Sequence, residues 1–159
     1  MSSAIWINRL SGKSNRPDRC SMNKPRLLRE RLTEKINYLR DNPEYLHVFV
    51  EDGTVLATMA PALSYEYAYT LNLIIEAYPG DQDILMAVVG HWLREHQPDI
   101  FANPDNRRSG FTFDINILND TTADISIDLK LTERVQITQQ GDASTVTALP
   151  EPENPFDRW

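Results

Sequence analysis

Apolar and polar residues recur along this chain with two periods, and each change of period marks a new element. Leu28, Leu32, Ile36 and Leu39 stand four, four and three residues apart. That spacing is one stripe on a helix that starts at Pro25, a residue suited to a first turn, and ends at Asn42-Pro43. Arg26, Arg29, Arg31 and Lys35 then occupy the other faces of the same helix. The period next shortens to two. Leu46 to Val50 and Thr54 to Met59 flank Glu51-Asp52-Gly53. Asp-Gly supplies the positive φ of a tight primed turn, which predicts a hairpin. From Tyr65 to Ile75, the residues Tyr65, Tyr67, Tyr69, Leu71, Leu73 and Ile75 alternate with Glu66, Ala68, Thr70, Asn72 and Ile74. This predicts a strand with one aromatic or aliphatic face lying on a core.

Tyr78-Pro79-Gly80 closes that strand, and Asp81 is the predicted N-cap of a helix through Gln97. Ile84, Leu85, Val88, Val89, Trp92 and Leu93 form the stripe of a helix lying on a sheet, and Pro98 stops it. Ile100 to Ser109 reads as a loop carrying Arg107-Arg108. Phe111, Phe113, Ile115 and Ile117 then alternate with polar residues. After Asn119-Asp120, Ile125, Ile127, Leu129 and Leu131 do the same. The pair predicts a long hairpin with one buried and one wet face. A short pairing of Val135–Ile137 with Thr145–Ala148, turning at Gly141-Asp142, is expected to extend it.

The expected order is α-β-β-β-α-β-β, an α+β fold whose mostly antiparallel sheet has two helices packed on one face. Residues 1–21 carry no period and read as a flexible basic arm, followed by a single domain over 22–149. Residues 150–159, Pro150-Glu151-Pro152-Glu153-Asn154-Pro155 and on to Phe156 and Trp159, read as an extended proline-rich tail. Neither end has a periodic apolar face, so folding is not expected to need either.

Composition agrees with one globular domain, since 41% of the 159 residues are apolar and 25% charged. A chain of this length buries roughly 70% of its unfolded surface and needs no staple. The single cysteine, Cys20, excludes an intrachain disulfide, a C-x-x-C pair and a multi-cysteine zinc site, which suits a reducing cytoplasm. Ala4 to Ile7 is far too short an apolar run for a signal peptide or a membrane span, so no membrane partner is expected.

Charge changes the picture more. Residues 1–40 carry a net charge of +7 and the remaining 119 carry -14. A basic first quarter ahead of an acidic body is complementary to a second copy of itself, and equally to a polyanion. The acidic body repels nucleic acid, so no specific nucleic-acid site is expected.

Catalytic chemistry finds little support. His91 and His96 are five apart on the predicted helix, about 140° apart in azimuth, and cannot share a metal as residues four apart do. His47 stands in a strand. Asp114, Asn116, Asn119, Asp120, Asp124 and Asp128 lack the glycine and terminal glutamate of a calcium loop. Asp81 and Asp83 are helix N-terminal charges. There is no G-x-S-x-G, no phosphate-binding loop and no dinucleotide fingerprint, and Cys20 has no fixed base beside it. No enzyme, cofactor or metal is expected.

From Met22 to about Ile137 the chain resembles the tail completion protein R (gpR) family of contractile-tailed temperate phages of the Peduovirus group. The resemblance rests on Leu32-Thr33 in the opening helix, Asp52-Gly53, Tyr69-Thr70-Leu71-Asn72, Trp92-Leu93-Arg94-Glu95 and Gln97-Pro98-Asp99-Ile100. Gly110-Phe111-Thr112-Phe113, Asn119-Asp120, Asp124-Ile125-Ser126-Ile127 and Leu131-Thr132-Glu133-Arg134 follow in order. It implies a non-catalytic virion protein with a tail-terminator fold, made in the bacterial host cytoplasm. It would sit at the head-proximal end of the tail tube and prepare the tail for joining to the head. The implied assembly is a ring of this chain matching the six-fold tail, a hexamer, with the tail tube protein and head-tail connector or neck proteins as partners. The family supplies no catalytic residues. On charge alone, Arg26, Arg29, Arg31 and Arg40 are the candidates to meet Asp114, Asp128 and Glu133 of a neighbouring subunit. Arg107 and Arg108 are the candidates to touch the tube or connector. The alternative reading is a cytoplasmic adaptor, or a nucleic-acid-touching module that uses the basic arm.

Overall fold

The computed structural model describes residues 22–57, 64–140 and 143–149. The expected N-terminal arm, the C-terminal tail and the turn at Gly141-Asp142 lie outside them. Helices α1 (Asn23–Lys35) and α2 (Asn37–Asp41) and a 3-10 turn (Pro43–Tyr45) lead into strands β1 (Leu46–Ala57) and β2 (Ser64–Tyr78). Helices α3 (Gln82–His96), α4 (Asp99–Ala102) and α5 (Pro104–Ser109) follow, and strands β3 (Phe111–Ile117), β4 (Ala123–Gln140) and β5 (Ala143–Leu149) complete the chain. All strand pairs are antiparallel, in the order β1-β2-β4-β3, with β5 on β4. The α+β architecture is the expected one.

The core lies where the periods placed it. Leu28, Leu32, Ile36 and Leu39 are all buried, as are Leu85, Val89, Trp92 and Leu93 of α3. They meet Tyr69, Leu71, Leu73 and Ile75 of β2 and Ile125, Ile127, Leu129 and Leu131 of β4 in one cluster. Asp81 caps α3, its carboxylate accepting from the Asp83 amide at 2.8 Å. Asn119 organises the β3-β4 turn, accepting at 2.9 Å from the amides of both Thr121 and Thr122. Val135 pairs with Ala148 and Ile137 with Val146, the expected short extension of the sheet.

Four expectations are corrected. The first helix is two, because Ile36 adopts extended angles (φ -115, ψ 111) while its side chain stays in the stripe. Asp52-Gly53 is a bulge and not a hairpin turn. β1 runs straight through it, with Glu51 opposite Thr70 and Thr54 opposite Ala68. Asp52 does take the positive φ of 52° that the dipeptide promised. The fifteen-residue β2 is long enough to pair with both halves of β1, so the chain has no reason to reverse there. Ile100 to Ser109 is not a loop but α4 and α5, the latter capped by Asn103 through the Asp105 amide at 3.0 Å. Lastly, the β3 side of the expected hairpin is not buried. Phe113, Ile115 and Ile117 are 57%, 36% and 76% exposed, because β3 is an outer strand that the helices on the core do not cover.

Candidate functional site

β3 and β5 lie end to end on one edge of β4. β3 ends its pairing at Phe111 opposite Leu129, and β5 ends at Leu149 opposite Arg134. The backbone between them faces no strand, and side chains fill the gap. The Gln97 Oε1 accepts from the Thr132 amide at 3.1 Å, and the Lys24 ammonium donates to the Thr132 carbonyl at 2.5 Å and to the same Gln97 oxygen at 2.6 Å. The Gln97 Nε2 donates to Thr132 Oγ1 at 3.0 Å and to Asp99 Oδ1 at 2.6 Å. Next to this cluster, the Glu133 carboxylate accepts from the Asn23 and Lys24 amides at 2.8 and 3.2 Å and from the Tyr69 hydroxyl at 2.7 Å. Lys24, Gln97 and Glu133 are all buried. The network ties the start of α1, the end of α3 and the unpaired stretch of β4 together, which is a structural task.

Glu133 is therefore corrected as an interface candidate: it is buried and caps its own chain's first helix. Arg31 is likewise engaged within the chain, donating to Glu95 at 2.9 Å across the α1-α3 seam. That bond, aided by the charges of Arg31, His91 and His96, holds the Glu95 carboxyl below its ordinary range, against a smaller opposing effect of burial. Arg26 pairs with Glu30 one turn on, at 2.9 Å, and Arg40 donates to the Asn37 side chain. Arg29 is exposed. Asp114 and Asp128 lie on the face of the sheet away from the helices. Asp114 is exposed, while Asp128 is half-buried and accepts from Asn72 at 2.6 Å. Arg107 and Arg108 stand in the last turn of α5, with the Arg107 Nε donating to the Phe101 carbonyl at 2.7 Å.

The histidines do not converge. His91 meets Glu95 at 3.0 Å, whereas His96 stacks on Trp92 and hydrogen-bonds its carbonyl at 3.0 Å. Among the described residues no group of three or more His, Cys, Asp or Glu is placed to hold a metal. No described helix is long and apolar enough to cross a membrane.

Among the described residues, several large apolar side chains are exposed on the outer strands. β3 and its following residue show Phe113, Ile117 and Leu118, and β1 shows Phe49, Val50, Val55 and Leu56. Neither strand carries a lysine or a proline, the usual blunting residues of an open edge. Sequence reasoning missed these exposures because alternation tells which face a residue takes, but not how far the helix layer reaches across it.

A family model described as P2 phage tail completion protein R (GpR) matches residues 22–152. The tail completion protein R of Escherichia phage P2 is 43% identical over 134 residues, covering 84% of this chain and 86% of that protein. No solved structure matches the chain. With more than four fifths of both chains aligned at that identity, this chain belongs to the P2 phage tail completion protein R (GpR) family.

Proposed function

We propose that this chain is a non-catalytic phage virion protein that completes the tail tube at its head-proximal end, as a ring, and prepares the tail for joining to the head. Its kinship with a protein named for tail completion supports the tail role. The observation that carries the ring is the pair of open, apolar sheet edges. β1, β2, β4 and β3 alternate in direction, so the two outer strands run oppositely. A rotation that brings β3 of one subunit beside β1 of the next therefore sets them antiparallel. One sheet would continue across each contact, and repetition of that heterologous contact closes a ring. A hexamer would match a six-fold tail.

Arg26, Arg29 and Arg40 on the helix layer and Asp114 on β3 are the proposed charged companions of that contact, with Asp128 a lesser one because Asn72 already engages it. Such pairs set register and steer encounter more than they add affinity. Arg108, with Arg107 beside it, is proposed to meet the tube protein or the connector and neck proteins. The test is electron microscopy of tails assembled with and without this protein. Tails made without it should fail to join filled heads, and purified protein should restore joining as an extra ring at the head-proximal end. Normal joining without it overturns the reading.

A further inference from the structure

β1 does not offer its outer edge as one length. The bulge at Asp52-Gly53 divides it into Leu46–Glu51 and Thr54–Ala57, and the two bulge residues have no partner in the register with β2. A bulge bends and twists its strand and interrupts the ladder, so regular pairing along the outer side stops there. β3, at Phe111–Ile117, is one residue longer than Leu46–Glu51, and its first residue, Phe111, is already half-buried against its own core. Thr112–Ile117 is therefore the same length as Leu46–Glu51. The two segments also match in face. Phe113 and Ile115 stand opposite the core residues Ile127 and Ile125, and Leu46, Val48 and Val50 opposite the core residues Ile75, Leu73 and Leu71, so both sets point to the helix side of the sheet.

We propose that the bulge sets the register between copies of this chain. Thr112–Ile117 of one copy pairs antiparallel with Leu46–Glu51 of the next, Phe113 opposite Val50, Ile115 opposite Val48 and Ile117 opposite Leu46. This register rests on the edge-to-edge ring contact proposed above and adds which residues meet. An antiparallel pairing of β3 with the next β1 puts both helix layers on one side of the joined sheet. The apolar set of β3 must then lie beside the apolar set of β1, and a slip of one residue would turn all of these side chains to the opposite face. Only shifts of two compete. Shifting one way sets Asp114 directly opposite Glu51, a like-charged pair, and Phe113 opposite the bulge. Shifting the other way carries Ile117, the most exposed of the three, past Leu46 to Glu44 of the 3-10 turn. In the proposed register Thr112, Asp114 and Asn116 meet Glu51, Phe49 and His47 on the bare face of the sheet, and no like charges stand opposite. The bulge thus limits an open edge to one mode of addition.

Disulfide trapping tests the register, in a full chain whose single cysteine is removed by Cys20→Ser. Val48→Cys is combined in turn with Phe113→Cys, Ile115→Cys or Ile117→Cys, and each protein is oxidised both alone and after addition to tails made without it. Within one chain β1 and β3 are three strand spacings apart, about 14 Å, so any bond that forms joins two copies. Residues directly opposite lie about 4.5–5.5 Å apart at Cα, within disulfide reach, whereas a shift of two residues moves them to about 8–9 Å. The expected result is a ladder of chain multiples on non-reducing gels from Val48→Cys with Ile115→Cys, at about tenfold or more the yield of the other two combinations. His47→Cys with Asn116→Cys, opposite each other in the same register on the bare face, should give the same ladder and carries the test should a cysteine at Val48 disturb folding. A higher yield with Phe113→Cys or Ile117→Cys would overturn the register while leaving edge pairing standing. No bond from any combination, alone or on tails, would overturn edge pairing itself, and the register with it.

Discussion

Glu133 joins the first helix to the sheet through one carboxylate. Met22, the residue before α1, offers no side-chain cap, and the two amides it leaves open are met from 110 and 109 residues away. Glu133→Ala is expected to cost about 2–4 kcal/mol in urea unfolding, because two helix amides and the Tyr69 hydroxyl lose their acceptor in a buried place. Glu133→Gln, which keeps an acceptor oxygen, should cost less than half as much. This role was legible in part. Ile125, Ile127, Leu129 and Leu131 alternate into the core, and Glu133 follows in the same parity, so its side chain had to point inward. Nothing in the order of residues said that the start of α1 would lie there, since that contact depends on how the helix crosses the sheet.

The Arg31–Glu95 pair makes a pH prediction. Its carboxyl is held low in the folded chain, so the pair's contribution is complete above the unfolded glutamate value of about 4.3 and is lost as pH falls through the lower folded one. Both side chains are partly exposed, and solvent screens the effect. The stability lost in Glu95→Gln should be small at pH 7 and smaller still at pH 3, since protonation of Glu95 weakens the pair as pH falls below the ordinary glutamate range. Urea midpoints for both proteins at the two pH values check it.

At the scale of elements, two glycines separate a tolerant junction from an intolerant one. A Cβ at Gly53, in the β1 bulge, meets nothing within 4 Å. One at Gly110 would sit 2.6 Å from the Asn106 carbonyl oxygen and 3.2 Å from Ile100. Gly110 also closes α5 and accepts from the Lys130 amide at 3.0 Å, where β3 begins to pair. Gly53→Ala is expected to leave the thermal midpoint within about 2 °C, whereas Gly110→Ala should cost about 1–3 kcal/mol as backbone moves to relieve the contact. The elements themselves were largely readable, because both stripes and the long β2 alternation are set by burial on one face. The bulge and the two short helices were not. A positive φ at Asp-Gly serves a turn or a bulge equally, and the length of the partner strand decides between them. Pro98 and Pro104 end or start helices without saying how many follow.

Across the whole molecule the two open edges matter most. Phe113→Asp with Ile117→Asp should abolish multimers in sedimentation velocity while leaving the monomer's melting unchanged, since both side chains are already exposed. Arg26→Glu with Arg29→Glu should weaken assembly more at low than at high salt, as steering charges do. If those reversals leave assembly unaltered at low salt, the contact is apolar alone. The uneven charge pointed to self-association from the sequence, yet its named pairs fared unevenly. Arg31 and Glu133 are engaged inside the chain, while the alternation of Phe113, Ile115 and Ile117 predicts a buried face on a strand that the structure leaves exposed.

The most direct measurement is negative-stain imaging of tails from a phage unable to make this protein, before and after adding it back. The account predicts tails with no ring at the head-proximal end that do not join filled heads, and recovery of both ring and joining with the purified chain. Tails that join heads at the normal yield without it, or added protein that binds along the tube or at its far end, would contradict the account.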